Sequence, residues 1–361
     1  MGKNNHLWRK ADHDYSAPAM YMITVVTTNR HPLLGHIHGD TADSAHIVPT
    51  GLGAAVIALF YDIEKQVLDR TGKTIQIVQY QLMPDHFHGV IYVRDPLPAG
   101  WQLGRIIAGW KGACSRAFWQ RHPHLPPPLN TSMTGNISSR ISSLNTSMTG
   151  NVSSRIPLFE PGFHDRILQG SGQLQRWITY LHDNPRRLWL KRAHPDLFRI
   201  HQQVEVLGIS CTTLGNMFLA ERPLRKVLQC SRRITHAELA AKREQCLREA
   251  EQGTVFITAA ISEGERLISR ALREAGYDMI ILLNQGFPKP DSPHYKFFKP
   301  SGIYFEACAA GKLLLVEPAD ALFELSEVEQ SVYAKAHDIK HDSPRYRFLA
   351  LNAIGWMMEQ A

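Results

Sequence analysis

Apolar and polar positions recur along the first part of the chain in a pattern that predicts the order β-α-β-β-α. The run YMITVVTTNR (21–30) is rich in β-branched and aromatic residues, which is typical of a strand. Helical spacing before a glycine predicts a helix over 51–72, and two strand-like runs in 73–94 predict a hairpin broken at MPD. A basic amphipathic pattern predicts a second helix over 103–122. This order predicts an α+β fold, in which an antiparallel or mixed sheet carries helices on one face.

A polar, repetitive stretch then interrupts the pattern. LNTSMTGNISSRI (129–141) recurs as LNTSMTGNVSSRI (144–156), a duplication with a period of 15 residues. A solenoid needs at least three stacked repeats, which excludes that architecture for this segment. Its Ser, Thr, Asn and Gly content predicts a flexible insertion over 123–157.

Ordered patterns resume with FEPGFHDRIL (159–168). A helix is expected over 171–185, beginning at Ser171 and ending near Pro185, because proline disfavours helical backbone in the residue before it. The basic stretch RRLWLKRAHPDLFR follows this helix.

Beyond about residue 204 the character of the sequence changes. Strand, helix and strand follow one another over 254–287, and KLLLVEP (312–318) is typical of a further buried strand. This pattern predicts a separate α/β, Rossmann-like domain over 204–361. The stretch 254–286 resembles the Rossmann-like domain of DNA-processing proteins of the DprA type, in which a loop after the first strand meets phosphates at a helix N-terminus. Ser262 and Gly264 lie in the matching loop, but GxGxxG and a Walker lysine are absent, which favours a structural or regulatory domain without a ligand.

Charge is distributed unevenly between these two parts. The formal net charge is +7, with 21 Lys and Arg against 13 Asp and Glu in residues 1–203, and 19 against 20 in 204–361. Basic charge confined to one part indicates a polyanionic partner for that part. A solvated basic surface without a partner is the alternative.

Other features of composition exclude several protein classes. The five cysteines are scattered without a CxxC pair, so neither a disulfide framework nor a zinc finger is expected. No apolar run approaches the length of a membrane span, and the polar, charged start does not resemble a signal peptide. We therefore expect a cytoplasmic protein that does not bind membranes.

Two histidines in MPDHFHGVIYV (83–93) are the first candidates for chemistry. In an extended chain, side chains two residues apart point to the same face, so His86 and His88 would project together while Phe87 points into a core. Two imidazoles can bind a divalent cation, but a metal site needs at least a third ligand. Taken alone, the pair is more typical of ordinary structural histidines than of a metal site.

The second candidate is Tyr180 in WITYLHDNPRR (177–187). Asn184 lies four residues later and therefore on the same helix face. A tyrosine hydroxyl is a poor nucleophile at its ordinary pKa, but near a metal that polarises a phosphate it can attack phosphorus. The Asn184 carbonyl could complete a metal shell that the two histidines begin. A half-buried helix tyrosine beside an asparagine cap is the alternative.

These motifs together resemble the single-tyrosine HUH transposases, and most closely the REP-associated tyrosine transposases. YMITVVTTNRHPLLG, MPDHFHGVIYV, LGRIIAGWKGACSRAFW, FHDRIL and YLHDNPRR occur in the order and approximate spacing of that family, over roughly residues 15–200. His86-Phe87-His88 matches its His-hydrophobic-His strand motif, and Tyr180 to Pro185 matches its Y-x-x-x-N-P helix segment. Asp85 is a departure, since family members commonly have asparagine there.

The resemblance implies a ferredoxin-like or RRM-like HUH fold, usually dimeric, that cuts and rejoins single-stranded DNA with hairpins. It implies that His86, His88 and Asn184 hold Mg²⁺ or Mn²⁺, and that Tyr180 forms a 5′-phosphotyrosine link. Single-stranded DNA needs a cationic track with stacking surfaces. The candidates are Arg105, Lys111, Arg116, Arg186, Arg187, Lys191 and Arg192, with Trp110 and Trp119 interleaved on the 103–122 helix.

Two other functions remain open at the level of sequence. The chain could be a domesticated protein that binds DNA hairpins or repeats without cutting, or a metal phosphodiesterase in which water replaces the tyrosine.

Overall fold

A computed structural model describes residues 10, 12–121, 157–287, 300, 302–324, 330–339 and 346–361. The duplicated repeats, 129–141 and 144–156, lie outside the described residues, so the predicted flexibility of the insertion stays a prediction. The chain divides into two compact units, Met1–Trp189 and Leu190–Ala361. The predicted domain limits, 15–200 and 204–361, also stay predictions.

The first unit is built on a four-stranded antiparallel sheet with the strand order β4-β5-β1-β6. Its main strands and helices follow the chain order β-α-β-β-α-β, which is the ferredoxin-like arrangement. A separate hairpin of β2 and β3 precedes the first helix. The elements are β1 (Ala19–Val26), β2 (Gly35–His38), β3 (His46–Pro49), α1 (Gly51–Thr71), β4 (Ile75–Leu82), β5 (His86–Val93), α2 (Leu103–Arg121), β6 (His164–Leu168) and α3 (Gln173–Ala193). The predicted α+β fold with an antiparallel sheet is confirmed.

The two faces of this sheet pack against different helices. Tyr21 and Ile23 of β1, with Phe87 of β5, join a large core that α1 and α2 cover. The alternate residues point the other way, where Met22 and Val90 pack against Leu181 of α3. Helices α1 and α2 share one face, as the sequence pattern predicts for them, and α3 covers the opposite face.

The prediction that a helix ends near Pro185 is wrong. Helix α3 continues through this buried proline to Ala193. A proline inside a helix loses one backbone hydrogen bond and costs about 3 kcal/mol. Trp189, one turn later, donates from its indole nitrogen to the Gly39 carbonyl at 2.8 Å, which anchors the continuation of the helix against the β2–β3 hairpin.

The second unit contains a six-stranded sheet with the order β7-β8-β12-β11-β10-β9. Strands β9, β10, β11 and β12 run parallel to one another, whereas β8 is antiparallel to both β12 and β7. The sheet is therefore mixed, and the predicted separate Rossmann-like domain stays a prediction. The elements are β7 (His201–Val206), β8 (Ile209–Gly215), β9 (Arg225–Val227), α4 (His236–Glu251), β10 (Val255–Thr258), α5 (Glu263–Glu274), β11 (Met279–Leu282), α6 (Gly302–Ala309), β12 (Leu313–Pro318), α7 (Ala321–Glu324), α8 (Val332–Ala336) and α9 (Tyr346–Gln360).

Two further observations bear on composition. All five cysteines are buried and free. In the part of the chain that the structure describes, every helix is too short or too polar to cross a membrane.

Candidate active site

Strand β5 places His86 and His88 side by side on the face of the sheet that α3 covers. Their ring centroids lie 4.7 Å apart, with the rings nearly perpendicular. Both side chains are buried, while Phe87 between them packs into the core on the other face. The strand period therefore brings the two histidines together as predicted.

The Nδ1 atom of His86 is held by the neighbouring carboxylate. It lies 2.6 Å from Asp85 Oδ1, and Arg30 donates to Asp85 Oδ2 at 3.1 Å. Burial alone would raise the pKa of Asp85, but the hydrogen bonds and charges of His86 and Arg30 outweigh it and lower the pKa to about 2. An ionised carboxylate only accepts hydrogen bonds, so His86 donates to Asp85 from Nδ1.

Thr24 holds His88 in a corresponding way. The two residues face each other across β1 and β5, and Thr24 Oγ1 lies 2.8 Å from His88 Nδ1. The direction of this bond depends on the His88 tautomer, and a His88 that ligates a metal through Nε2 would donate from Nδ1 to Thr24 Oγ1. Both imidazoles are therefore oriented through Nδ1, an arrangement typical of metal-binding histidines that ligate through Nε2.

Helix α3 brings Tyr180 against this pair. The Tyr180 and His88 ring centroids are 6.4 Å apart, although the residues are 92 positions apart in the sequence. Trp177 packs edge-on against Tyr180 at 5.3 Å, and the Arg187 guanidinium lies 5.7 Å from the centre of the tyrosine ring. The tyrosine is half-buried, so its ring is fixed by packing while part of it remains accessible.

Asn184 lies one helical turn beyond Tyr180 and is 8% exposed. Within the described residues, its side-chain amide nitrogen is buried without a hydrogen-bond partner. The nitrogen and oxygen of an amide can be exchanged by rotation, which would place a buried oxygen at the same point. An uncompensated buried polar atom is costly, and a cation bound to the amide oxygen would remove that cost.

The donor set of this site suits a hard or borderline divalent cation. No group of three His, Cys, Asp or Glu side chains in the described part of the chain could hold a metal. Two imidazole nitrogens and one amide oxygen, with positions left for substrate oxygens, form a suitable set instead. The residues present therefore fit a divalent cation, and its identity as Mg²⁺ or Mn²⁺ stays a prediction.

Among the predicted DNA-binding residues on α3, Arg187 lies close to the tyrosine. Arg186 donates to Asp183 Oδ1 at 2.6 Å, and Arg187 lies 3.7 Å from the other oxygen of that carboxylate. Lys191 and Arg192 fall in the second unit, where the Lys191 ammonium lies 5.8 Å from the Phe198 and Phe305 rings.

The predicted DNA-binding residues on α2 lie on the far side of the sheet from Tyr180. Arg105 and Arg116 are exposed there. The Lys111 ammonium donates to the Glu160 and Gly162 carbonyls at 2.6 and 2.5 Å, and burial lowers the pKa of Lys111 to about 8 against the opposing effect of Glu160. Lys111 therefore has a clear structural role in tying α2 to the segment before β6.

The interleaved tryptophans of α2 are packed inward. Trp110 is 2% exposed and lies among Phe60, Phe87 and Phe159, so the prediction that it offers a surface for DNA bases is wrong. Its apolar ring is needed to fill the core beneath the sheet. Trp119 is half-buried and packs against the same core.

In the second unit, the loop with Ser262 and Gly264 is closed by the protein itself. Ser262 caps α5, and the buried Glu265 carboxylate accepts from the backbone nitrogens of Cys230, Ile261 and Ser262 at 2.7 to 3.1 Å. The backbone donors that a phosphate would need already bind an internal anion. This geometry favours the structural interpretation of the loop.

Thr24 and Arg30 are site residues that sequence reasoning missed. Period-two alternation in β1 places Thr24 on the same face as Met22, which is a usable signal, but its pairing with His88 depends on strand register. Arg30 reaches Asp85 from a short helical turn after β1 in which Asn29 and Arg30 adopt positive φ, and no simple sequence pattern predicts such a contact.

No protein-family model matches the chain, and no curated protein does either. Among solved structures, a REP-associated tyrosine transposase bound to a REP hairpin is 13% identical, with a TM-score of 0.27, and the match covers 49% of this chain and 72% of that one. A protein from Deinococcus radiodurans R1 described as a transposase is 17% identical, with a TM-score of 0.24, and the match covers 49% of this chain and 98% of that one. These descriptions agree with the family that the sequence motifs resemble, but at these TM-scores neither structure carries an argument about this chain.

Proposed function

We propose that the chain is a metal-dependent tyrosine transposase or nickase that cuts and rejoins single-stranded DNA through a 5′-phosphotyrosine intermediate. The observation that carries the proposal is the packing of Tyr180 against His88, whose partner His86 is oriented in the same way through Nδ1. A nucleophile next to two preorganised imidazoles suits chemistry on a phosphodiester.

His86, His88 and Asn184 are the residues that would hold Mg²⁺ or Mn²⁺. When bound, the cation would neutralise charge on the non-bridging oxygens of the scissile phosphate. Asp85 and Thr24 keep the two imidazoles in the tautomer that leaves Nε2 for ligation.

Tyr180 supplies the nucleophile. Its Oη forms a bond to phosphorus, the bond from phosphorus to the 3′ oxygen breaks, and the phenolic proton ends, in net terms, on the released 3′-hydroxyl. Attack by a second 3′-hydroxyl on the phosphotyrosine reverses these changes and joins new ends. The energy of the phosphodiester is conserved in the covalent link, so no nucleotide hydrolysis is needed.

The proposed substrate is single-stranded DNA that carries hairpins, and the proposed assembly is a homodimer in the cytoplasm. Arg186 and Arg187 beside Tyr180 are the first candidates for phosphate contacts, since both guanidiniums lie on the helix that carries the nucleophile. Arg105, Lys111 and Arg116 on the far face are weaker candidates for the same strand.

Incubation of labelled hairpin DNA with the full chain and Mn²⁺, followed by a denaturing gel, tests the proposal. Wild type is expected to give a covalent protein–DNA adduct that Tyr180→Phe abolishes and EDTA prevents. Tyr61→Phe is a matched control, because Tyr61 is an exposed tyrosine on α1 across the sheet. Tight binding without an adduct would instead favour the DNA-binding protein without cleavage, and cleavage that survives Tyr180→Phe would favour attack by water.

A further inference from the structure

A second aromatic side chain lies next to the proposed nucleophile on α3. Trp177 precedes Tyr180 by three residues, so it occupies the same helix face one turn earlier. Its ring packs edge-on against Tyr180, and the Arg166 guanidinium lies 5.2 Å from the ring centre. We call Arg166 and Trp177 together the Trp177 platform.

The platform lies on the same face of the sheet as the two histidines. In the strand register, Thr24 of β1 pairs with His88 on one side and His164 on the other, and Met22 pairs with Val90 and Arg166. Arg166 therefore lies two residues along β6 from His164, which is in the row of His88, and on the face that α3 covers. This placement brings the platform to the neighbourhood of the proposed scissile phosphate.

Both members of the platform are accessible to a ligand. Arg166 is exposed and Trp177 is half-buried, with the inner part of its ring packed near Met22 and Leu181. A fixed aromatic ring beneath a mobile guanidinium can bind a nucleobase by stacking and a phosphate by charge. Stacking of this kind tolerates any base, because every base has a π face.

We propose that Trp177 stacks a base of the nucleotide that flanks the scissile phosphate, with Arg166 moving from the ring to the adjoining backbone phosphate. This inference rests on the proposed function, since it names how the same site holds its substrate. Asn184 and Trp177 lie on opposite sides of Tyr180 along α3, so the metal residues and the stacked base bracket the nucleophile. The stacked base holds the DNA strand in position, so that the adjoining scissile phosphate lies next to Tyr180.

The chain offers a matched control on the other side of the sheet. Trp101 also lies beneath an arginine, with the Arg105 guanidinium 4.8 Å from its ring centre, but it packs against the core that α1 and α2 cover. The two pairs have the same chemistry and differ in which face of the sheet they occupy.

Binding without cleavage separates this inference from the proposed chemistry. A fluorescein-labelled thymidine oligonucleotide of about 12 nucleotides, and an abasic strand of equal length, are titrated with the full chain in EDTA by fluorescence anisotropy. Trp177→Ala is expected to weaken thymidine binding by about 5- to 140-fold while abasic binding changes less than about twofold. Trp177→Phe should retain most of the preference for bases, and Trp101→Ala should leave both affinities unchanged.

Arg166→Ala provides a second test that does not disturb the packing of Trp177 into the protein, because Arg166 is an exposed strand residue. It is expected to weaken binding of both strands about equally, as loss of a phosphate contact would. Equal base preference in wild type and a folded Trp177→Ala, or a larger loss in Trp101→Ala, would overturn the proposal. If Trp177→Ala does not fold, unchanged binding of both strands by Arg166→Ala overturns it instead. Since no cleavage occurs in EDTA, failure of the phosphotyrosine mechanism would leave these results unchanged.

Discussion

At the scale of single residues, hydrogen bonds to Nδ1 decide what the two histidines can do. Asp85 and Thr24 each occupy one Nδ1 atom, so metal ligation by either imidazole would use Nε2. Partners of this kind commonly change metal affinity 10- to 100-fold when they are removed. The two partners therefore belong to the site even though neither is a proposed ligand.

Thr24→Val tests this orientation. The valine keeps the shape of the side chain but cannot accept from His88, so we expect Mn²⁺ affinity to fall by about 10- to 100-fold in isothermal titration calorimetry. Thr24→Ser keeps the hydroxyl and should remain within about threefold of wild type. Equal affinities in the valine and serine variants would show that Thr24 does not orient a ligand.

The sequence predicts part of this site and misses the rest for identifiable reasons. The shared face of His86 and His88 follows from the period of a strand, and that of Tyr180 and Asn184 follows from the period of a helix. The contact between Thr24 and His88 depends on the register of β1 against β5, which local patterns do not specify. The burial of Trp110 was missed because a tryptophan in a basic helix resembles a stacking surface until the core beneath it is known.

At the scale of secondary-structure elements, Gly89 allows α1 to pack against the strand that carries the histidines. A Cβ at this position would lie 2.3 Å from Cζ of Phe60, which is fully buried. The backbone of β5 therefore meets the phenylalanine ring directly. The glycine that follows the second histidine is required by packing on the opposite face of the sheet.

Gly89→Ala is expected to lower the free energy of unfolding by about 1 to 3 kcal/mol, because Phe60 or the strand must move. Urea denaturation followed by circular dichroism measures the change. Gly109→Ala is a suitable control, since Gly109 lies within α2 with nothing near its Cβ position. There the alanine should raise stability by up to about 1 kcal/mol. A Gly89→Ala protein as stable as wild type would contradict the packing described here.

The end of helix α3 is an element boundary that the sequence does not predict. Proline is a usual sign that a helix has ended, yet α3 continues for eight residues beyond Pro185. Tertiary contacts such as the Trp189 bond to Gly39 compensate for the lost backbone hydrogen bond. Such contacts join residues 150 positions apart, so no local pattern could have predicted them.

At the scale of the whole molecule, the excess positive charge lies in residues 1–203, and the remaining residues are nearly neutral. Binding of single-stranded DNA should therefore depend steeply on salt through counterion release. Composition predicts this property directly, because it depends on the sum of charges rather than on the fold. Which basic side chains contact the DNA depends on the face of the sheet on which they lie, and composition does not specify that face.

The salt dependence of DNA binding identifies the basic side chains that contact phosphates. In the anisotropy assay from about 50 to 200 mM salt, Arg166→Ala should reduce the slope of log affinity against log salt by about 0.7. Arg70→Ala, at the exposed end of α1, should leave the slope unchanged. Unchanged slopes in both variants would exclude a phosphate contact by Arg166.

Locating the covalent link within the protein is the most direct test of whether Tyr180 is the nucleophile. The full chain is incubated with labelled hairpin DNA and Mn²⁺, digested with nuclease and trypsin, and examined by mass spectrometry. The predicted result is a nucleotide attached through phosphate to the peptide WITYLHDNPR (177–186), in which Tyr180 is the single tyrosine. Cleaved DNA that carries a free 5′-phosphate, with unmodified peptide throughout, would contradict a tyrosine nucleophile.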